Sequence, residues 1–299
     1  MACFNLLPKR RSVLTALAFS FLLCCPAPGT GPAQASPLKK TGSGNKGLTL
    51  GIAYDGSYLD YSEEGPNGGS LDKDTAWLNG LALEARYETN AIWTRLTAQY
   101  LRSGLANYDG ATQNGTPLGM STRERICQYE GDVGYKALNL YTSTLTPYAG
   151  LGYRIWDRGA DALPDYEEKY TWDYFAAGAD YVLRLGRWTA GANAAVRLPF
   201  NMRLRTNLAG KFDEATFYLK TRAGFSVEMP VTCIFYGYHG PHADRPSFFV
   251  YLTPYYQYWA IGASAPVTLT YQGVPGRAYY EPDSGSDIFG ARAGIGMNY

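Results

Sequence analysis

The sequence is poor in histidine and cysteine, and no long hydrophobic run follows its N-terminal region. It contains two histidines and five cysteines in 299 residues. Cys3, Cys24 and Cys25 precede residue 36, so only Cys127 and Cys233 remain beyond it. Two cysteines that far apart form no disulfide framework. Because no stretch of 18 consecutive apolar residues occurs after residue 35, a transmembrane helix is excluded there.

An excess of charge of one sign is also lacking. The whole chain has 27 basic and 26 acidic residues. Without residues 1–35 it has 24 basic and 26 acidic residues. A chain so close to neutrality has no basic patch of the size that nucleic-acid binding requires, so no nucleic-acid partner is expected.

The N-terminal region has the three parts of a secretory signal peptide. Lys9–Arg11 form a basic start, Val13–Cys25 form a short apolar core, and Ala33 and Ala35 form an A-x-A cleavage site. The apolar core is too short for a membrane anchor helix, which needs about 20 residues. We therefore predict a cleaved signal peptide of residues 1–35, followed by a short periplasmic segment of residues 36–46.

The rest of the chain alternates between apolar and polar side chains with a period of two, which indicates β-strands. In residues 145–156, for example, Leu151, Tyr153 and Ile155 alternate with Gly152, Arg154 and Trp156. The pattern predicts ten strands in an all-β domain of residues 47–299. They are placed near residues 47–59, 75–88, 91–103, 121–138, 144–157, 169–185, 188–200, 211–229, 247–260 and 285–299.

The predicted links alternate between short turns and long loops, with one exception. The links at residues 89–90, 139–143 and 186–187 are short, whereas residues 60–74, 104–120, 158–168, 201–210 and 261–284 are long. This alternation is typical of outer-membrane barrels, which have short periplasmic turns and long extracellular loops. The segment Pro230–Pro246 is long but falls on the short-turn side. An even number of strands lets the last one pair with the first, so we predict a closed antiparallel transmembrane β-barrel.

A soluble sandwich or lipocalin-like barrel would also alternate, but the tyrosine content favours a membrane. The chain has 26 tyrosines, and tyrosine and tryptophan are enriched where a ring can be half buried in lipid with its polar tip wet. Six tyrosines are predicted on outward faces, where they would form aromatic girdles. They are Tyr100, Tyr135, Tyr153, Tyr181, Tyr256 and Tyr258.

The polar face of the strands carries twelve charged residues that we predict to line the lumen. They are Arg86, Arg95, Glu130, Asp132, Arg154, Asp180, Arg184, Arg197, Lys220, Arg222, Glu228 and Arg292. Small barrels have interiors that their own side chains nearly fill, and buried charges require partners. We therefore predict a charge-paired lumen. A narrow porin-like channel for small solutes is the alternative.

Several short runs resemble small single-chain outer-membrane β-barrel proteins of Gram-negative bacteria, a largely uncharacterised group. The runs are Thr146–Trp156, Thr253–Trp259 and Tyr280–Ser284. The last strand also resembles the C-terminal signal that the barrel-assembly machinery reads, although Tyr299 stands where phenylalanine is usual. The residues of this signal are Phe289, Ala291, Ala293, Ile295, Met297 and Tyr299. The resemblance implies outer-membrane location, with lipid, lipopolysaccharide and the assembly machinery as partners.

A search for catalytic chemistry finds no complete set of residues. Ten strands also resemble the omptin proteases, which use an aspartate pair facing an Asp-His pair; Asp72-Lys73-Asp74 could supply the first. The histidines, His239 and His242, fall at the opposite end of the predicted barrel, out of hydrogen-bond reach. A lipid-modifying hydrolase lacks a base for the same reason.

The same link also carries potential metal ligands, because Cys233 and Asp244 flank the two histidines. Their spacing does not close a zinc site. We therefore predict a non-enzymatic structural or surface-interaction scaffold without cofactor or metal, whose surface ligand the sequence does not name.

Overall fold

The structure, a computed structural model, describes residues 47–65, 69–111, 117–160, 163–207, 210–236 and 246–299. Within these ranges, no helix is long and apolar enough to cross a membrane. The regular elements are the strands β1 (Gly47–Glu64), β2 (Ser70–Glu88), β3 (Ile92–Ser103), β4 (Ala106–Ala111), β5 (Pro117–Tyr135), β6 (Leu138–Asn139), β7 (Ser143–Ala160), β8 (Leu163–Leu185), β9 (Trp188–Thr206), β10 (Ala215–Thr221), β11 (Gly224–Glu228), β12 (Val231–Tyr236), β13 (Ser247–Ser264), β14 (Val267–Tyr271), β15 (Val274–Tyr279) and β16 (Ser284–Asn298). The predicted signal peptide, residues 36–46 and both histidines lie outside the described residues.

One antiparallel sheet contains all strands except β14 and β15, and it closes on itself. β1 pairs with β16 in unbroken register from Thr49 opposite Asn298 to Glu63 opposite Ser284. β3 and β4 share one position in the ring, between β2 and β5. β10, β11 and β12 share another, between β9 and β13. The ring therefore has ten strand positions, which confirms the predicted closed barrel.

The strands are longer than predicted, and most of the predicted long loops are strand. β1 continues to Glu64, β7 to Ala160 and β9 to Thr206, while β2 begins at Ser70. Strands of 18 residues, tilted as in membrane barrels, rise about 45 Å, whereas the lipid-facing band of such barrels is about 25 Å tall. Glycine and charged residues in these segments suggested loops, but such residues fit strands that continue beyond lipid with one face in water.

The first part of the irregular link Pro230–Pro246 is the end of a strand, Val231–Tyr236. The strand predicted at residues 211–229 continues through β12 to Tyr236, with Cys233 paired to Val250 and Trp188. Breaks after Thr221 and Glu228 divide it into three segments. The remaining link is shorter than predicted, and residues 237–245 lie outside the described residues. Cys127 and Cys233 are both free.

β14 and β15 form a separate hairpin in the long segment before β16. Its turn residues Gln272 and Gly273 both have positive φ, the geometry that two-residue hairpin turns require. The carboxylate of Asp213 accepts hydrogen bonds from the Thr270 hydroxyl, at 2.6 Å, and from the backbone N–H groups of both turn residues. Leu269 of β14 is buried. The hairpin is therefore anchored, although it takes no part in ring closure.

The outward face carries exposed apolar side chains near the end where short turns connect β2 to β3 and β8 to β9. We refer to this end as the turn end and to the opposite one as the loop end. Members of this apolar band are Leu48, Leu50, Ile52, Leu81, Leu83, Leu96, Val133, Leu151, Val196, Leu252 and Ile295. Of the predicted girdle residues, Tyr100, Tyr135, Tyr153 and Tyr181 are exposed, and Tyr256 and Tyr258 are half-buried.

Candidate functional site

Ten of the twelve predicted lumen charges face the inside of the barrel; nine lie in its turn-end half, and Arg154 lies at the boundary with the loop-end half. Near the turns, Arg86 Nη1 lies 3.2 Å from Asp180 Oδ2 across the lumen. The Nε atom of Arg86 contacts Glu88 at 2.7 Å, and Lys136 Nζ lies 2.8 Å from the other oxygen of Glu88. This group of charges therefore ties β2 to β8, which are not neighbours in the ring.

Arg95, Glu130, Asp132 and Arg197 form a second group nearer the middle of the barrel. Arg95 Nη2 lies 2.8 Å from Asp132 Oδ2, and Arg197 Nε lies 2.9 Å from Glu130 Oε2. The Tyr174 hydroxyl donates to Glu130 Oε2 at 2.9 Å. Tyr174 reaches across because residue 152 is glycine, where a Cβ would collide with the tyrosine ring. The glycine of this strand therefore makes room for a lumen contact.

A third group is centred on Asp55, which is fully buried. Its carboxylate lies 3.2 Å from Arg292 Nε and accepts hydrogen bonds from Gln99 at 2.7 Å and from the Tyr255 hydroxyl at 2.9 Å. Arg292 also contacts Glu228 at 3.2 Å. Sequence reasoning found Arg292 and Glu228 but missed Asp55, although its alternation in β1 places it on the same face.

Arg184 and Arg154 differ from the other inward arginines because neither forms an ion pair with a carboxylate among the described residues. Arg184 donates to the Thr144 hydroxyl at 2.9 Å near the turn end. Arg154 is fully buried at mid-barrel and donates to Gln128 at 2.6 Å and Gln257 at 3.2 Å. The lumen is therefore charge-paired in most of its turn-end half, but not at Arg184 or Arg154.

The prediction is wrong for Lys220 and Arg222, which are exposed instead of lining the lumen. Phe217 and Leu219 of β10 face inward, whereas Val227 of β11 faces outward. The break between the two strands inverts the alternation. The apolar residues that were predicted to share one face therefore point inward in β10 and outward in β11. Arg222 instead forms an ion pair with Asp283 at 2.7 Å.

The loop-end half of the lumen is filled by an apolar core that sequence reasoning missed. It includes Leu59, Tyr61, Leu78, Leu101, Ile126, Trp156, Tyr170, Trp172, Leu204, Phe217, Trp259, Ile261 and Ile288. Trp156 stacks on Tyr170 with ring centroids 5.3 Å apart, and Tyr61 meets Trp156 edge-on at 5.1 Å. Packed interiors of this kind have few voids larger than a water molecule. The described side chains therefore close the barrel above its polar half.

Above the apolar core, four carboxylates surround one arginine, and we refer to them with Arg158 as the rim cluster. Arg158 lies 3.0 Å from Glu168, 3.3 Å from Asp74, 3.8 Å from Glu124 and 3.9 Å from Glu63. The Thr122 hydroxyl also contacts Asp74, at 2.8 Å. Residues from β1, β2, β5, β7 and β8 meet here. The predicted boundaries had placed most of them in loops.

The rim cluster lies beyond the apolar outward band and contains more acidic than basic groups. Burial and this excess of carboxylates raise the pKa of members of the cluster. Burial, followed by the neighbouring charge of Glu168, raises the pKa of Glu63 to about 7 against the pull of Arg158. Burial also raises the pKa of Glu281, whose carboxylate accepts a hydrogen bond from Tyr170 at 2.6 Å. The cluster therefore holds protons that the unfolded chain releases at lower pH.

Glu63→Gln is expected to flatten the pH dependence of stability and to stabilise the barrel above pH 7. Folded Glu63 keeps its proton while unfolded glutamate loses it, so stability contributed by Glu63 is present below about pH 4.5 and is lost as pH rises to about 7. Urea unfolding of refolded protein at pH 5 and pH 8 measures the difference. Glu214→Gln, which changes an exposed ion pair with Arg205, is the control. Equal pH dependence in wild type and Glu63→Gln would contradict the assignment.

The aspartates considered for an omptin-like site lie in a different environment from the predicted one. Asp72-Lys73-Asp74 belongs to β2, not to a loop, and Asp74 is fully buried. Both oxygens of Asp74 accept from the Thr122 hydroxyl, and one also contacts Arg158. Asp74 is thus held inside the rim cluster.

Comparison with known proteins bears on the fold. No protein-family model and no curated protein matches the chain. Among solved structures, the outer membrane protease OmpT from Escherichia coli aligns with a TM-score of 0.55 at 9% identity, covering 85% of this chain and 96% of that one. The outer membrane protein OprG from Pseudomonas aeruginosa aligns with a TM-score of 0.35 at 12% identity, covering 86% and 98%. The ring of ten strand positions and the alignment with OmpT give the chain the fold of the small outer-membrane β-barrel proteins.

Proposed function

We propose that this chain is a sealed, non-enzymatic barrel of the outer membrane, a rigid scaffold that presents its loop end at the cell surface. The observation that carries the proposal is the apolar core across the loop-end half of the lumen, from Leu59 to Ile288. An ion entering this region would lose its hydration without gaining a charged partner, which costs many kcal/mol.

The outward surface supports the membrane location. Exposed Leu, Ile and Val side chains form a band near the turn end, and tyrosines lie along its borders. Beyond the band on the loop side, outward positions become charged; Arg102 and Arg125, for example, are directly opposite each other on β3 and β5. This change of polarity matches a boundary between lipid and water. Lipid and lipopolysaccharide are the partners we propose for this surface, with the barrel-assembly machinery reading the last strand.

The ion pairs of the turn-end half support a rigid scaffold more than a pore. Contacts such as Arg86–Asp180 and Arg197–Glu130 join strands that are not adjacent in the ring. Side chains paired in this way neutralise each other's charge. They therefore do not line an open path with charge of one sign. Single-channel recording distinguishes this scaffold from the alternative, a narrow channel for small solutes.

Refolded protein in a planar lipid bilayer is expected to give no steady single-channel current, because the apolar core interrupts any aqueous path. Insertion is checked in the same preparation by the altered gel mobility of the unheated barrel. A steady current of reproducible size from inserted wild-type protein would contradict the proposal and favour the channel. Omptin-type proteolysis by the same protein, measured on unstructured peptides, would contradict its non-enzymatic part.

A further inference from the structure

Neither the ion pairs nor the apolar core explains Arg154. Its side chain is fully buried at the boundary between the two halves. Its Nη1 atom donates to Gln128 and Gln257, but its Nε and Nη2 atoms have no hydrogen-bond partner among the described residues. A buried guanidinium without a counter-charge is among the most costly groups a protein can contain.

The side chains packed around Arg154 add further donors and no compensating charge. Its guanidinium carbon lies 5.5 Å from the ring centre of Trp172 and 5.3 Å from that of Trp259. The indole N–H groups of both tryptophans are buried without an acceptor in the described part of the chain. Arg197 also packs over Trp259, at 5.9 Å, and its Nη1 atom is likewise buried without an acceptor.

Five unsatisfied nitrogen atoms therefore belong to four side chains in contact, and all five are hydrogen-bond donors. Glu130, the carboxylate that pairs with Arg197, is already engaged by Arg197, Arg95 and Tyr174. Cation–π contacts offset part of the cost for Arg154, but only about 1–2 kcal/mol for a desolvated pair. What the group lacks is an acceptor that carries one negative charge.

We propose that Arg154, Trp172, Trp259 and Arg197 bind a small inorganic monoanion, for which chloride is the physiological candidate. A monoanion supplies the single missing charge and accepts several N–H bonds at once. A water molecule would satisfy donors but leave the charge, and a divalent oxyanion would exceed the one charge that the group lacks. The polar turn-end half of the lumen provides the side from which a hydrated ion enters.

The test compares thermal unfolding of refolded protein in chloride and in gluconate at equal ionic strength, since gluconate is too large for the site. The wild-type midpoint is expected to rise in chloride, by about 4 °C for each tenfold increase above the dissociation constant. Arg154→Met keeps most of the side-chain volume and removes the charge, so its midpoint should be the same in both salts. Arg184→Met, which changes another inward arginine, should keep the full chloride effect.

Equal midpoints for wild type in the two salts, or an undiminished chloride effect in Arg154→Met, would overturn the proposal. Should Arg154→Met fail to refold, crystals of the wild-type protein grown in bromide decide the matter. An anomalous peak within hydrogen-bond distance of Arg154 Nε or Nη2 is expected. Ordered water at that position, with no anomalous signal, would show that the donors are satisfied without an anion.

Discussion

Deletion of Ser284–Tyr299 is expected to abolish the folded barrel completely. This segment forms β16, which pairs along its length with both β1 and β13. Its loss leaves two long strand edges, whose unpaired backbone groups cost several kcal/mol each in lipid. The refolded wild type should migrate differently on a gel before and after heating, whereas the deletion variant should migrate identically in both states.

Replacement of residues 266–279 by a short glycine-serine link is the control for this deletion. It removes a similar length of chain, the β14–β15 hairpin, which lies outside the ring. Loss of Leu269 and of the Asp213 contacts lowers stability, but every ring pairing remains. The control should therefore keep its heat-dependent mobility. Identical behaviour of the two deletions would contradict the assigned closure between β1 and β16.

Glu130→Leu is expected to lower the free energy of unfolding by about 3–5 kcal/mol, because it leaves the buried Arg197 without its carboxylate. The Glu130 carboxylate lies 2.9 Å from Arg197 Nε and accepts from Tyr174 as well. Leucine fills much of the same volume, so the lost charge partner accounts for most of the change. Urea unfolding of refolded protein in detergent micelles measures it.

Two further variants test whether the effect of Glu130→Leu comes from the unpaired charge. Adding Arg197→Met should restore most of the stability, since the buried pair is then replaced by two apolar side chains. Glu214→Leu breaks an exposed ion pair with Arg205, which solvent screens, and should leave the free energy of unfolding nearly unchanged. Failure of Arg197→Met to improve Glu130→Leu would show that the pair is not the source of the loss.

The closed ten-stranded barrel could be predicted from sequence because lipid imposes a strict period of two. In β7, Leu151, Tyr153 and Ile155 point outward while Arg154 points into the lumen, as predicted. The prediction failed in β10, where the apolar face points inward and the polar face outward. Phe217 and Val227 look alike in sequence, and nothing in the chain between them marks the break that inverts the alternation.

The apolar core and the rim cluster were missed for a different reason, although the sequence contains a signal for the first. In β7, inward Arg154 and outward Ile155 are followed by inward Trp156 and outward Asp157. In β5, inward Ile126 lies beside outward Arg125. The polarity of the two faces is thus exchanged where the strand leaves lipid. The rim cluster depends on side chains from five strands, which no single segment reveals.

The filled loop-end half of this molecule has a consequence for the cell that carries it. A proposed surface scaffold without an aqueous path leaves the permeability barrier intact, whatever its copy number. On this proposal, antibiotics and bile acids would gain no route of entry when the protein is abundant. Selection could therefore alter or lengthen the segments beyond β4 and β14 without exposing the cell to leakage.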